Sequence, residues 1–309
     1  MIYTIFFNFK EVCFYDKMKM NKLIKRGRVD MKNYKLIVTD MDGTVLGEDH
    51  KITKENKKAL REAEKMGIKV VFATGRFHDS AKEHIDFLED TMPIISSNGA
   101  IIKHPITNKV YYSNFIDKNT SLEIAEVMER YNLSYQVYTD KNIFQTYQTE
   151  EEMMFMKDFI AKNFSDNTEI TFKQDIREDI KNSNVLKFNV LEMENPKLLD
   201  KLRNDLKFIN NIEITSSWKD NLEIMNEGSN KGNAVEFLAN LLEIDKEHII
   251  AFGDNYNDLS MIEFAGTGVA MGNAEEEVKN IANYITDKNG NSGVAKAINN
   301  LILEKVVSV

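Results

Sequence analysis

The chain has 309 residues, of which 42% are hydrophobic and 29% are charged. This size and composition are typical of a globular protein with one large or two ordinary domains, and they exclude the disordered, collagenous and disulfide-rich classes. Forty basic side chains against forty-nine acidic ones give a net charge of -9, which repels phosphate polymers, so we expect no nucleic-acid partner. The single cysteine, Cys13, has no partner for an intrachain disulfide, which favours a cytoplasmic location.

Residues 1–33 form an N-terminal extension that we predict to be loose. The apolar run over residues 1–9 is too short to span a bilayer and has no basic residue before it, so it does not match a signal peptide. The basic stretch over residues 17–28 would favour an anionic surface, but a loose tail, or a translation start at Met31, explains the segment more simply. We therefore expect no membrane partner.

From residue 34 onward, apolar runs alternate with helical patterns. The predicted strands and helices of this part, in chain order, are strand 34–39 (YKLIVT), helix 53–66, strand 69–73 (KVVFA), a helix near 79–88 and strand 93–96 (PIIS). Three strand, loop and helix units in a row predict a doubly wound parallel α/β sheet, with a site at the carboxyl ends of its strands. The same pattern resumes in helix 232–242, strands 248–252 and 268–271, and helix 293–304.

A different pattern occupies residues 101–225. Strand-like runs at 135–138 and 143–147 flank a Lys141-Asn142 turn, which indicates an antiparallel hairpin. Further helices are predicted at 121–130, 151–163 and 196–208, and further strands at 185–191, 212–216 and 222–225. We predict an α+β domain over 101–225, inserted into a core formed by residues 34–100 and 226–309. Its polar and aromatic residues Tyr138, Tyr147, Lys187 and Trp218 could face a substrate, but such residues are more often packing or surface residues, so none is assigned a catalytic role.

Asp40 and Asp42 stand at the end of the first strand, on either side of Met41 and before Gly43. One carboxylate can attack an electrophile, while the other protonates a leaving alkoxide and then activates water, which is what phosphoester hydrolysis needs. An Asp-x-Asp-Gly segment is also typical of an ordinary turn or of half a calcium loop. An EF-hand would require glycine and glutamate where Val45 and Lys51 stand, so we exclude it.

Four further residues follow predicted strands or begin helices and suit the same reaction. Thr74 offers a hydroxyl donor, and Lys231 offers a positive charge for a phosphoryl group. Asp254 and Asp258 can hold a divalent cation together with Asp40, and Mg²⁺ is the natural candidate. A solvated lysine at a helix start and an aspartate that caps a helix are the plainer alternatives.

These residues form an ordered set of four motifs that resembles the haloacid dehalogenase superfamily, and within it the Cof-type phosphatases with a large cap. The motifs are Asp40-Met41-Asp42-Gly43-Thr44, Thr74-Gly75-Arg76, Lys231-Gly232, and the segment from Gly253 to Asp258. The resemblance covers nearly all of the chain beyond the N-terminal extension.

The resemblance implies a role for each matching residue. Asp40 is the nucleophile that forms an aspartyl-phosphate, and Asp42 is the acid and base. The other implied roles are as follows: Thr74, Gly75 and Lys231 hold the phosphoryl group; Asp40, Asp254 and the backbone carbonyl of Asp42 bind Mg²⁺; Asp258 and Asn257 orient that metal site; Arg76, Asn98 and Gly99 lie near the substrate.

The function that the resemblance implies is Mg²⁺-dependent hydrolysis of small phosphomonoesters, such as sugar phosphates, flavin mononucleotide or pyridoxal phosphate. The partner is then a small phosphorylated metabolite, and the inserted domain is a mobile cap over the phosphate site. A phosphomutase or phosphotransferase with the same intermediate is one alternative. A regulatory module that binds a phosphorylated ligand without chemistry is another.

Overall fold

The computed structural model describes residues 33–163, 169–192, 195–218 and 220–303. The prediction of a loose extension concerns residues that lie, except for Asn33, outside this range. The described residues from Tyr34 onward belong to one compact unit. Among the described helices, none combines the length and the apolar character needed to cross a membrane.

The regular elements of the described residues are named here in chain order. The strands are β1 (Leu36–Thr39), β2 (Lys69–Phe72), β3 (Ile94–Ser96), β4 (Ile101–Lys103), β5 (Val110–Ser113), β6 (Tyr135–Thr139), β7 (Ile143–Thr146), β8 (Ile170–Lys173), β9 (Val185–Leu191), β10 (Ile212–Thr215), β11 (Asn221–Asn226), β12 (Ile249–Gly253), β13 (Thr267–Ala270) and β14 (Tyr284–Ile285). The helices are α1 (Lys54–Lys65), α2 (His78–Lys82), α3 (Lys118–Arg130), α4 (Glu150–Asn163), α5 (Arg177–Asn182), α6 (Pro196–Leu206), α7 (Lys231–Leu241), α8 (Leu259–Phe264), α9 (Glu276–Ile281) and α10 (Gly293–Ile298).

The core is a five-stranded parallel sheet in the order β14-β13-β12-β1-β2. Side chains of β1 alternate between two apolar clusters, because Ile37 packs on one face of the sheet while Leu36 and Val38 pack on the other. Helix α1 contributes Leu60 to the first cluster, and α7 contributes Leu238 to the second. Helices therefore cover both faces, and the predicted doubly wound α/β core with an additional α+β region is confirmed.

The third predicted strand, β3, adjoins the core sheet in the predicted parallel direction but pairs chiefly with other strands. It forms an antiparallel three-stranded sheet with β4 and β5, and a single bridge between Ala73 and Ile95 joins it to the core. Positive φ angles at Ser97, Asn98 and Gly99 turn the chain back on itself after β3. The expectation of three consecutive strand, loop and helix units was wrong at this third unit.

The helix predicted near residues 79–88 is only five residues long, and α2 ends at Lys82. Ile85 and Phe87 are both buried in the core. Residues two apart lie on different sides of a helix, so a continued helix would have left one of these side chains in solvent. Burial of both side chains explains why the helix stops early.

The largest sheet has six strands in the order β10-β11-β9-β6-β7-β8. The predicted hairpin of β6 and β7 is confirmed as antiparallel, whereas β7 and β8 pair in parallel. Helices α3, α5 and α6 pack against one face of this sheet, in a cluster that includes Val137, Phe188 and Ile224. Strands β4 and β5 fall within the predicted 101–225 region, but they pair with β3 and not with the six-stranded sheet. The division of the chain at residues 101 and 225 stays a prediction.

His78, the first residue of α2, provides a test of how burial sets pH-dependent stability. Its side chain is buried, neither ring nitrogen has a hydrogen-bond partner among the described residues, and burial lowers its pKa to about 4. A histidine with a lowered pKa in the folded state destabilises that state progressively as the pH falls below the unfolded value of about 6.5. Between pH 7 and pH 5 the free energy of unfolding should therefore fall by about 2 kcal/mol more in the wild type than in His78→Phe.

Urea unfolding at the two pH values measures this difference. Asn240→Leu, at an exposed position of α7, should keep the wild-type difference between pH 7 and pH 5. An unchanged pH dependence in His78→Phe would contradict the assignment.

Candidate active site

The loops that follow β1, β2 and β12 meet at one edge of the core sheet, because parallel strands present their carboxyl ends together. They carry Asp40 and Asp42, then Thr74 to Arg76, then Asp254 to Asp258. Lys231 begins α7 beside them. Four stretches of chain that are far apart in sequence thus contribute to one site.

Lys231 lies at the centre of this site and is fully buried. Its Nζ donates to Oδ1 of Asp40 at 2.5 Å and to Oδ1 of Asp258 at 2.6 Å. Burial alone would lower the pKa of Lys231, but the two carboxylates raise it overall. The alternative of a solvated lysine at a helix start is therefore wrong, and Lys231 is a fixed positive charge inside the site.

Asp40, Asp254 and Asp258 form an acidic cluster in which one carboxylate oxygen of each lies within 4.8 Å of the others. Burial, followed by repulsion from Asp258, raises the pKa values of Asp40 and Asp254. Thr44 donates from Oγ1 to Oδ1 of Asp254 at 2.6 Å, which fixes that carboxylate. Three buried carboxylates opposed by the single ammonium group of Lys231 form a donor set that suits a hard divalent cation.

Gly43 makes room for this cluster. A Cβ atom at this position would lie 2.2 Å from Oδ2 of Asp254, and the backbone φ is 72°. Any other residue would be strained and would push Asp254 aside. The glycine of the Asp-x-Asp-Gly segment is therefore required by the acidic cluster as well as by the turn.

Asp258 makes two kinds of contact, one typical of a capping residue and one within the acidic cluster. Its Oδ2 accepts backbone hydrogen bonds from Asp254 at 2.8 Å and from Asn255 at 3.0 Å, which caps the turn that follows. Its Oδ1 accepts from Lys231. One carboxylate thus caps the turn and belongs to the acidic cluster at the same time.

The side chain of Asp42 contacts Arg76 and is not a member of the acidic cluster. Arg76 binds both of its oxygens, at 2.7 and 2.6 Å, and His50 lies 3.9 Å away. Burial alone would raise the pKa of Asp42, but Arg76 and His50 lower it well below its usual range. In this arrangement the carboxyl group is ionised.

The remaining motif residues line the approach to Asp40. Thr74 accepts the backbone N–H of Arg76 at its Oγ1, so its own hydroxyl hydrogen remains for another acceptor. Asn257 donates to Oδ1 of Asn98 at 3.0 Å. Gly75 packs so closely on Asn98 that a Cβ would lie 2.9 Å from the same oxygen.

Gly99 lies against the loop before Lys231, where a Cβ would lie 2.3 Å from the carbonyl oxygen of Asn230. The structure therefore brings every predicted site residue into one region.

A buried ion pair that the sequence analysis did not identify borders this region. Lys187 of β9 donates from Nζ to Oε1 of Glu223 and to the carbonyl oxygen of Gly75, both at 2.6 Å. Lys187 is thus neither a surface residue nor a simple packing residue. In the sequence, Lys187 and Glu223 each lie inside an apolar run, and a charged residue in such a run is the signal that could have identified them. Nothing in the sequence shows that these two runs become adjacent strands.

A cavity of about 210 Å³ extends from Asp40 and Thr74 to the six-stranded sheet. Tyr138, Lys187 and Trp218 line it, whereas Tyr147 is not among its lining residues. The site therefore has room for more than a phosphate.

A family model described as haloacid dehalogenase-like hydrolase matches residues 37–298. The chain belongs to this family. Phosphatase YwpJ of Bacillus subtilis is 33% identical over 294 residues, which cover 87% of this chain and all of the relative. A second Bacillus subtilis relative, 5-amino-6-(5-phospho-D-ribitylamino)uracil phosphatase YcsE, is 34% identical over 282 residues, which cover 91% and 99% of the two chains.

Solved structures agree with this assignment. A haloacid dehalogenase-like hydrolase from Bacillus subtilis superposes with a TM-score of 0.76 at 30% identity, covering 87% of this chain and 100% of that one. A family member from Bacteroides thetaiotaomicron gives 0.74 at 31% identity, with the same coverage. The predicted resemblance to Cof-type enzymes is confirmed, and the chain is a haloacid dehalogenase-type phosphatase that acts on small phosphorylated substrates.

Proposed function

We propose that this phosphatase hydrolyses small phosphomonoesters with Mg²⁺ through an aspartyl-phosphate on Asp40. The observation that carries the proposal is the contact of Lys231 with Asp40 and Asp258, beside Asp254, where Asp40 lines the cavity. This arrangement keeps a nucleophilic carboxylate next to a fixed positive charge that can stabilise a transferring phosphoryl group.

In the first step, an oxygen of Asp40 attacks the phosphorus atom, and the ester bond to the leaving alkoxide breaks. Asp42 gives a proton to that alkoxide and then takes a proton from water as the water attacks the aspartyl-phosphate. Asp40 is regenerated and inorganic phosphate leaves. Lys231 and the hydroxyl group of Thr74 hold the phosphoryl oxygens during both steps.

The residues that would hold Mg²⁺ are Asp40, Asp254 and the backbone carbonyl of Asp42, with Asp258 orienting them. When bound, the ion would offset repulsion among the carboxylates and the phosphate. The acidic cluster fits this group because its buried negative charge exceeds what Lys231 supplies.

The proposed acid role of Asp42 requires a change from the observed arrangement, in which Arg76 keeps that carboxyl ionised. Arg76 also lines the cavity near Thr74 and can turn to a phosphate oxygen. We propose that the phosphate group of the substrate draws the guanidinium of Arg76 away, which lets Asp42 take up a proton.

The candidate substrates are sugar phosphates, flavin mononucleotide and pyridoxal phosphate. The name of YcsE adds the phosphate ester of a ribitylamino-uracil as a fourth. We further propose that the enzyme meets these metabolites in the cytoplasm, as expected from its single cysteine.

The test is release of inorganic phosphate from a panel of these esters and from p-nitrophenyl phosphate, ranked by kcat/KM in the presence of Mg²⁺. A parallel reaction with added sugar acceptors separates hydrolysis from phosphotransfer. Transfer to an acceptor in preference to water would replace the hydrolase proposal with the phosphotransferase. Absence of turnover with every ester would favour a phosphate-binding module.

Removal of the metal should abolish activity and lower stability. Because Mg²⁺ binds the folded acidic cluster, adding it at about 100 times its dissociation constant should stabilise the metal-free protein by about 2.7 kcal/mol. Thermal unfolding with EDTA and with Mg²⁺ measures this shift, and it should shrink in Asp254→Asn. Full turnover in protein freed of metal would refute the Mg²⁺ requirement.

A further inference from the structure

The six-stranded sheet turns a row of polar side chains toward the cavity. The strand register pairs Gln136 with Gln145 on one side and with Asn189 on the other, and Asn189 with Glu223. Directly paired residues of neighbouring strands lie on the same face, so these four residues form a row across four strands. All four line the cavity that begins at Asp40.

Hydrogen bonds align the amides of this row. Asn189 donates from Nδ2 to Oε1 of Gln136 at 3.0 Å, and Asn221 donates to Oδ1 of Asn189 at 3.2 Å. Tyr138 donates to the same oxygen of Gln136 at 3.2 Å. We call the three amides of this row, Gln136, Gln145 and Asn189, together with the adjoining Asn221, the amide row.

Gln145 is the member of the amide row whose contacts point to a ligand. Its side chain is 1% exposed, and its Nε2 donates to the carbonyl oxygen of Thr146 at 2.8 Å. Its Oε1 has no hydrogen-bond partner among the described residues. A buried acceptor without a donor destabilises the protein, and a hydroxyl or N–H group of a ligand in the cavity would satisfy it.

The charges around the cavity disfavour a second anion. Among the residues that the structure describes, two cationic side chains line the cavity, and both already contact carboxylates, Lys187 at Glu223 and Arg76 at Asp42. Glu152 and Glu192 line the same cavity and add negative charge. In the described lining, a phosphate or carboxylate on the leaving group would therefore meet amides and carboxylates rather than an additional cation.

We propose that the amide row binds the leaving group of the substrate and selects an uncharged one rich in hydroxyl or amide groups. This inference rests on the proposed phosphatase function and names the substrate class of the same site. Amides both donate and accept hydrogen bonds, so they match a polyol or a lactam ring, and they offer no charge to balance a second anionic group.

The first experiment compares two esters that differ by one anionic group, fructose 6-phosphate and fructose 1,6-bisphosphate, with p-nitrophenyl phosphate as the reference. We expect kcat/KM of the wild type to be at least tenfold higher for the monophosphate. Equal or greater efficiency with the bisphosphate would overturn the inference while leaving the phosphatase function intact. Absence of turnover with all three esters would overturn the proposed function itself.

The second experiment uses Asn189→Leu and Gln136→Leu, two variants at partly exposed positions, so that misfolding of one leaves the other informative. Each should lower kcat/KM for fructose 6-phosphate at least tenfold and change that for p-nitrophenyl phosphate less than threefold. Asn240→Leu, on an exposed position of α7, should change neither value appreciably. Equal losses with both esters in the folded variants would show a structural role only and would overturn the inference.

A charge introduced into the row provides the converse test. Asn189→Lys should reduce the preference for the monophosphate over the bisphosphate at least fivefold, because it supplies the missing cation beside the leaving group. Asn240→Lys adds the same charge to the exposed surface of α7 and should keep the wild-type ratio. An unchanged ratio in a folded Asn189→Lys would contradict the proposed contact.

Discussion

Replacing Asp40 by asparagine is expected to lower kcat for phosphomonoester hydrolysis by at least about a thousandfold. The amide is a poor nucleophile and a weaker metal ligand than the carboxylate. Asp40 contacts Lys231, but burial, followed by repulsion from Asp258 and Asp254, raises its pKa overall. Loss of its charge should therefore leave the free energy of unfolding of the metal-free protein at pH 8 unchanged or higher.

Steady-state kinetics and urea unfolding of the same preparation separate loss of chemistry from loss of structure. Asp158→Asn, an exposed position of α4, is the matched control and should retain wild-type kcat. A phosphoenzyme trapped by acid quench should form in the wild type and be absent from Asp40→Asn. Residual turnover near the wild-type rate would remove Asp40 from the role of nucleophile.

The core of the fold could be predicted because local patterns and chemistry agree there. The apolar run before Asp40 is long enough only for a buried strand, and Asp40 and Asp42 follow it immediately. Parallel strands with intervening helices place such loops at one edge, so residues as far apart as Asp40 and Lys231 were expected together. In this part of the chain, the order of strands and helices in the sequence is enough to predict which loops meet at the edge of the sheet.

The region over residues 101–225 was less predictable because its contacts depend on strand register. The amide row arises only once β6, β7, β9 and β11 are adjacent in that register. Neither the pairing of Lys187 with Glu223 nor the contact of Lys187 with Gly75 can be read from apolar patterns alone. Short strands joined by long connections allow several orders, and tertiary packing selects one of them.

The side chain of Asp42 shows a second reason why the sequence alone does not predict the whole site. Motif order places its backbone correctly beside Asp40, but the rotamer depends on Arg76, which approaches from the loop after β2. A bidentate arginine is a strong partner for a carboxylate, so it determines the side-chain direction in the absence of a competing anion. A sequence motif can therefore suggest the proposed acid and base, Asp42, without showing the direction of its side chain.

Replacing Lys231 by methionine should have the other large effect, on stability as well as on activity. Lys231 is the fully buried cation that contacts both Asp40 and Asp258, and its removal leaves those carboxylates without a counter-charge. Loss of one partner of a buried ion pair typically costs about 3–5 kcal/mol. We expect a loss of this order in the metal-free protein, and a fall in kcat of at least about a hundredfold because a phosphoryl contact is lost.

The pH dependence distinguishes this electrostatic cost from a simple packing defect. The buried carboxylates of Asp40 and Asp254 bind protons more tightly in the folded state than in the unfolded state, and loss of Lys231 strengthens this preference. Such groups favour folding at low pH, and this stabilisation is lost as the pH rises through their raised pKa values. Urea unfolding should therefore show a larger deficit of Lys231→Met relative to wild type at pH 8 than at pH 5. Lys246→Met, at an exposed position, should show no deficit at either pH, and an equal deficit of Lys231→Met at both would indicate lost packing instead.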